Sequence, residues 1–506
     1  MQSESVSRTT RCASAEKRSK ALLQGLPYEL KQKIFGHALD GELTLGKAKG
    51  VLSSMLASRN LEAAALGHLE LQTRLQEMKR YATQLRACAS GPDVQLDLSE
   101  LLDKEVDHLL GLCSPDKRRD LLKDISTQND QQNAQLIQTF GNGLKRLAPT
   151  QRGALMATTL DIEDPEQQRA AFAGMAKGLV HLGETEQKVL LDLALNGSDA
   201  VNENGILRAV CSDFSNLRTD QQERILNHLP NLPLGAQINV LASLSAHLPA
   251  LGSQWRGAIV AVLDVPHDNS DRHLQGLATI RAHALDQLDN LDGHQQTQLI
   301  AHLSHIVDED ERAMAFGNIA SKLVQLEADS SDELKPALNR ALEELSGDEL
   351  QSHILSGLCA SLELLPEQSA ELIRLATEMA DGSGAKGRLL GGLGGALKHL
   401  DSDERDLIFA DALDNTTGMD RRLALNGLAR GAHTLNTDQL VDLLEAMGGL
   451  NDNDKAFVIQ GLAPNMYTLT VKQRDTLISL VNALAPPKKS MALAALGASV
   501  LKREQA

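Results

Sequence analysis

Aromatic side chains are nearly absent: Phe, Tyr and Trp together make up 2% of the 506 residues. Sheets draw on aromatic and β-branched residues to cover a pleated surface, so a sheet-based core is disfavoured. Cysteine is as sparse. The five, Cys12, Cys88, Cys113, Cys211 and Cys359, stand apart with no CxxC pair and an odd total, which argues against a disulfide framework and for reduced thiols. No stretch reaches the roughly eighteen consecutive apolar residues that a membrane span requires. Positive charge is in deficit, with 50 Lys and Arg against 67 Asp and Glu and a net charge of −17. Binding a phosphate backbone needs a positive surface that releases counterions, so nucleic acid is not an expected partner. The same balance predicts a neutral or basic protein partner.

Signatures of catalysis are missing too. The chain has no G-x-S-x-G elbow, no H-E-x-x-H and no kinase set. "GGLGGALKHL" at residues 391–400 lacks the spacing and the Lys-Ser/Thr of a phosphate loop, and its glycines have a packing role in the repeat described below. The closest histidines, His294, His302 and His305 beside Asp308, lack a firm third and fourth ligand for zinc, so a solvated surface is the simpler reading. Cys211 and Cys359 fall near apolar repeat positions and read as small buried hydrophobes. No catalytic residue, cofactor or metal is expected. A binding protein is.

What is abundant is Leu and Ala in a repeating order. "GGALKHLDSDERDLIFADAL" at residues 394–413 has a near-twin, "RGAHTLNTDQLVDLLEAM", beginning at Arg430. Anchored on one leucine per unit, the series runs Leu112, Leu147, Leu182, Leu217, Leu251, Leu291, Leu326, Leu365, Leu400, Leu435 and Leu469, with gaps of 35, 35, 35, 34, 40, 35, 39, 35, 35 and 34 residues. An apolar residue three before the anchor, and usually another seven before it, share one helical stripe with it and predict a first helix. Glycine recurs eight before the anchor, at Gly174, Gly357, Gly392, Gly427 and Gly461. Since glycine costs a helix about 1 kcal/mol against Ala, close approach of a neighbouring backbone is the expected reason.

Thr150, Thr185, Thr219, Ser253, Ser402 and Thr437, two or three after the anchor, are expected N-caps of a second helix. That helix buries a pair eight and nine after the anchor, such as Leu190/Leu191 and Leu443/Leu444, and often carries Gln four after it (Gln151, Gln221, Gln295, Gln439, Gln473). One such hairpin cannot bury its own apolar faces, so the units must stack. The expected fold is all-α: an α-solenoid of about eleven 35-residue αα-hairpin repeats over residues 99–506, ending in a partial capping helix. The aromatic signature of tetratricopeptide units is missing, and HEAT-like or generic αα repeats describe the pattern better. The two long gaps hold "DVPHDNSDRH" and "EADSSDELK", expected to be loop insertions.

Ahead of the array, residues 1–20 form a Ser/Arg-rich tail with no apolar run, expected to be disordered and unlike a Sec signal peptide. Residues 61–98 read as connecting helices. Residues 21–60 carry "LLQGLPYELKQKIFGHALDG", in which Pro27 opens a helix and Leu30, Ile34 and Phe35 share an apolar face. Patterning alone makes this a small helical cap. The segment also resembles the F-box, through Leu26, Pro27, Glu29, Leu30, Ile34, Phe35 and Leu39, with Val51, Leu52 and Leu56 as its later helix. The Cys and Trp common in the second half of an F-box have no counterpart here. That resemblance implies docking onto the adaptor Skp1 and recruitment of a cullin ubiquitin ligase, with the repeats holding the substrate. The whole layout resembles type III secreted effectors of plant-associated bacteria, several families of which carry HEAT/armadillo-like repeats. It implies export by a non-Sec route into the cytoplasm or nucleus of a host cell, and host proteins as partners. A resident bacterial cytoplasmic scaffold, binding or blocking a partner without a ligase link, is the alternative.

Overall fold

The computed structural model describes residues 69–505 apart from 92–93, 99–100, 102, 124–128, 197–203, 265–270, 323–325, 327, 346 and 364–367. The F-box-like residues Leu26, Pro27, Glu29, Leu30, Ile34, Phe35 and Leu39 lie outside the described residues, as do the 1–20 tail and the anchor Leu365. The chain divides into two compact units, Met1–Cys88 with Gly497–Ala506, and Ala89–Leu496. Among the described residues there are helices and no strand.

Helix α1 is Leu69–Ser90, with Tyr81, Ala82, Leu85 and Cys88 buried on one face. Helical hairpins follow in strict alternation: α2 (Asp103–Leu112) with α3 (Pro115–Lys123), α4 (Asp130–Gly141) with α5 (Pro149–Asp161), α6 (Pro165–Ala176) with α7 (Glu184–Asn196), and α8 (Asn204–Cys211) with α9 (Thr219–His228). Next come α10 (Leu234–Leu244) with α11 (Ser253–Ala261), α12 (Asp271–Asp286) with α13 (Gly293–Leu303), α14 (Glu309–Ala320) with α15 (Ala328–Glu344), and α16 (Asp348–Cys359) with α17 (Ser369–Glu378). The last are α18 (Ala385–Gly395) with α19 (Ser402–Asp414), α20 (Gly418–Arg430) with α21 (Thr437–Gly448), and α22 (Asp452–Leu462) with α23 (Val471–Asn482), closed by α24 (Pro486–Gln505). Among the described residues there are eleven hairpins, matching the eleven leucine anchors of the sequence, and the larger unit is an α-solenoid.

The described anchors share one environment except Leu326, which is half-buried. Leu112, Leu147, Leu182, Leu217, Leu251, Leu291, Leu400, Leu435 and Leu469 are all buried, as are Leu144, Leu179, Phe214, Leu248, Leu288, Leu362, Leu397 and Met466 three before them. Their geometry corrects the sequence reading. Except at Leu112, the last residue of α2, the first helix stops short of these residues, and a separate 3₁₀ turn, as in Leu144–Arg146, Leu179–His181 and Leu397–His399, carries the earlier one. The anchor itself is extended, with φ −89° and ψ 147° at Leu147, and its N–H donates to the carbonyl three before, at 3.1 Å. Residues i and i+3 of a 3₁₀ turn eclipse each other, so the pair reaches the same core that a continued α-helix would.

The N-caps are also displaced. Helices open one or two residues earlier than expected, so Thr219, Ser253, Ser402 and Thr437 are first helical residues and Thr150 and Thr185 second ones. Side-chain caps come instead from Asp292, Asp401, Asn436 and Thr470, directly after the anchors. This register explains the recurrent glutamine. Gln151, Gln221, Gln295, Gln439 and Gln473 each accept the backbone N–H of the residue just before the helix, at 2.8–3.1 Å. The amide nitrogen then donates to the preceding hairpin, from Gln473 to the Thr437 carbonyl at 3.1 Å, from Gln295 to that of Ser253 at 3.3 Å and from Gln221 to the Gln187 side chain at 3.3 Å. Glutamate would cap but has no N–H to give.

First helices pack on first helices far more closely than second helices on second. At Gly461 an added Cβ would lie 2.7 Å from the Asn426 carbonyl oxygen, and at Gly174 2.5 Å from the Gln138 Cα. At Gly357 and Gly427 it would run into the carbonyls of Gly317 and Gly391. All are contacts with the preceding first helix. Packing the two rows at unequal spacing bends the array toward the first helices. The bend is large enough that its ends meet: Gln460 on α22 donates to Glu105 on α2 at 3.2 Å, and the Asp97 N–H donates to Ser490 Oγ on α24 at 3.0 Å. The expected loop at "EADSSDELK" is instead the start of α15, whose Asp and Glu residues stand near a helix N-terminus where negative charge is favourable. The other insertion lies partly outside the described residues, and its last part begins α12.

Candidate functional site

The pair α18 and α20 shows how the array builds a surface. Five of the eleven residues of α18 are glycine, an intrinsic helix penalty of roughly 5 kcal/mol by propensity alone. Gly387, Gly391 and Gly394 face α20, where added Cβ atoms would strike backbone at Asp420, Leu423 and Gly427 to Leu428. Small residues four and three apart on one helix face let two axes approach inside the usual 8–10 Å. Asp420, fully buried on α20, reaches back to the start of α18 and accepts the N–H groups of Gly382, Gly384 and Gly387 at 2.5, 3.2 and 2.5 Å. Gly382 and Gly384 have φ of +108° and +84°, which only glycine adopts cheaply. The loop is an anion-binding nest filled from within by a carboxylate.

Over this tight row runs a groove of about 590 Å³ that crosses α14, α16, α18 and α20. Gly317, Gly357, Gly391, Gly392 and Gly395 form its floor, and Met314, Asn318, Ser321, His353, Ser356 and Ala360 line its α14–α16 end. The α18–α20 end holds Arg388, Lys398, His399 and Arg430. No carboxylate lines it among the described residues, in a chain of net charge −17. Arg388 donates to neutral oxygens, the Ser352 hydroxyl at 2.7 Å and the Glu349 carbonyl at 3.2 Å. Arg430 donates to the Asn426 side-chain oxygen at 2.9 and 2.7 Å. These bonds orient the guanidinium groups, and the nearby Glu349 and Asp420 carboxylates oppose the fall that burial imposes on the Arg388 pKa. Burial, aided by Arg388, holds the His353 pKa down at about 4, so this ring adds no charge at neutral pH.

A second basin, of about 510 Å³, spans the first four hairpins and is lined by Lys104, Asp107, His108, Lys145, Lys177, His181 and Asp213 among others. Lys145 has its partner in place. Buried Asp107 accepts Lys145 at 2.8 Å and Arg146 at 2.8 Å, and Asp213 stands close enough to His181 to oppose the fall that burial imposes on its pKa.

Of the histidine group flagged in the sequence, His294 and His305 are exposed and His302 is half-buried. His302 Nε2 faces Arg281 Nη1 at 3.1 Å and must accept, so Nδ1 carries the proton and donates to Asp264 at 3.1 Å. Arg281 also pairs with Glu311, and Asp308 caps its own helix by accepting the Glu311 N–H at 2.8 Å. Among the described residues no three His, Cys, Asp or Glu side chains gather as metal ligands. Cys113, Cys211 and Cys359 are buried, and burial pushes their thiols up, to about 12 for Cys113, away from nucleophilic thiolates. No helix among the described residues is long and apolar enough to cross a membrane.

No family model matches the chain, and no curated protein matches it as a relative. Solved structures do match. The crystal structure of Kap121p bound to Nup53p aligns over 90% of this chain and 51% of that one, with 12% identity and a TM-score of 0.32. The karyopherin Kap121p bound to the SUMO protease Ulp1p aligns over the same shares, with 13% identity and a TM-score of 0.32. The chain spans about half the length of these structures.

Proposed function

We propose that the chain is a non-enzymatic adaptor that holds a partner protein on its first-helix surface. The observation that carries this reading is the groove across four consecutive first helices, lined by cations and by no carboxylate among the described residues. Uncompensated charge on a rigid, packed floor contributes little to folding and much to recognition of a complementary surface. Proximity labelling with the full chain in plant cells, followed by crosslinking of the recovered protein to the purified chain, tests it. Crosslinks on α14 to α20 are expected. A partner that touches second helices alone overturns the reading.

The adaptor role extends to the N-terminal segment. Leu26, Pro27, Glu29, Leu30, Ile34, Phe35 and Leu39 present the F-box-like pattern through which the chain couples its cargo to Skp1 and a cullin ubiquitin ligase, and the layout supports delivery as a type III effector into a host cell. What supports this is the residue pattern alone. A pull-down against Skp1 with the Leu26→Ala/Pro27→Ala double variant decides it. Native recovery with loss in the variant is expected. No native recovery, or equal recovery by the variant, leaves a partner-binding scaffold with no ligase link.

A further inference from the structure

We infer that the groove over α14 to α20 takes an extended acidic segment of a partner protein, with its carboxylates at the α18–α20 end and uncharged residues at the other. This deepens the adaptor reading and rests on it. Four helices packed inside the usual 8–10 Å spacing give a groove roughly 20 Å long, and an extended chain at about 3.3 Å per residue covers it with some six residues. A lone anion would engage only one end.

The two ends differ in chemistry. Lys398 and Arg430 line one, and Arg388, on α18, turns toward α16, so that a bound segment passes guanidinium and ammonium groups able to take carboxylates. The other end is uncharged at neutral pH, because His353 stays deprotonated, and Met314, 47% exposed, offers a flexible apolar contact. The floor adds shape but no hydrogen bonds. Its glycines lie within helices whose N–H groups are already used, so a bound strand can lie close to the helix backbones. Charge complementarity selects an acidic segment over a basic one despite the acidity of the whole chain.

The test uses the full chain and a fluorescein-labelled peptide of about ten residues, Glu-rich in one half and Leu/Ser in the other, read by anisotropy. Its Gln-for-Glu analogue and an oligothymidine strand of matched charge serve as competitors. The Arg388→Gln/Lys398→Gln/Arg430→Gln variant is expected to weaken binding about tenfold or more. Lys104→Gln/Lys145→Gln/Lys177→Gln, the same charge change in the other basin, is expected to leave it unaltered. Gly395→Phe fills the groove where an added Cβ meets nothing within 4 Å, so it should abolish binding with no fall in melting temperature. That variant carries the test if the triple substitution does not fold. Failure of the Glu peptide to bind, equal loss in both basins, or stronger binding of oligothymidine overturns the inference. A chain that ignores the peptide yet crosslinks a cellular partner on α14 to α20 keeps the adaptor reading and loses this one.

Discussion

The surface of hairpins one to four and that of hairpins seven to ten both gather lysines, arginines and histidines over the first helices. In the former, Asp107 lies between Lys145 and Arg146 and Asp213 sits by His181. In the latter, Lys398 and Arg430 line a groove with no carboxylate among its lining residues, while Arg388 has the Glu349 and Asp420 carboxylates near enough to oppose the fall that burial imposes on its pKa. The carboxylate that might have served them, Asp420, is turned inward and spent on three backbone N–H groups. Similar residue types thus do different work. Where acids are within reach the cations join the fold, and where the nearby acid is buried elsewhere they remain available to a ligand.

The strongest way to break this contrast is Asp420→Ala. Three N–H groups at the buried start of α18 lose their acceptor, and a cost of about 3–5 kcal/mol is expected in denaturant unfolding. A variant as stable as the native chain would show that the nest is not a structural requirement. Next is Gly427→Ala, which drives a Cβ into the Gly391 carbonyl and should cost about 1–3 kcal/mol. Gly395→Ala, at an open position on the same surface, should be neutral or slightly stabilising. Asp107→Asn sharpens the comparison from the other side. It frees Lys145 and Arg146 and should give the first basin measurable affinity for the Glu-rich peptide, at a stability cost of about 1 kcal/mol.

The smallest effect concerns acid. His108, His181, His247, His283, His302 and His353 are all held below their ordinary pKa, burial being the largest cause in each. In the unfolded chain they protonate near pH 6.5 and in the folded chain only lower, so between these values the unfolded state binds more protons. Stability is therefore complete above about pH 6.5 and falls as pH drops, for His353 down to about 4. His353→Gln should flatten the lower part of that acid limb in melting experiments, and an unchanged limb would remove His353 from the account.

Much of the array was legible because burial follows the anchors. The 35-residue spacing, the −8 glycines and the +4 glutamines each reflect a demand that every hairpin makes on its neighbour. The 3₁₀ turn was hidden because its eclipsed i,i+3 pair imitates the stripe of an α-helix. The caps were displaced because several polar residues follow each anchor, and only the glutamine that accepts the preceding N–H fixes which one begins the helix. "EADSSDELK" looked like a loop for its polarity, although such residues also suit a first helical turn. The groove was not legible at all. Arg388, Lys398 and Arg430 stand twelve, two and five residues before their anchors, in two hairpins, so no periodic pattern brings them together. The negative balance pointed to a neutral or basic partner, whereas the local surface has the opposite sign.

Open repeat arrays fray, because each terminal unit has a neighbour on one side only and is the first to melt. Glu105 bonded to Gln460, and Asp97 to Ser490, give the outermost hairpins of this chain a neighbour on both sides. Amide exchange in α2 and α22 should then be as slow as in the middle of the row, and excising any one 35-residue unit would harm regions far from the cut by pulling that seam apart.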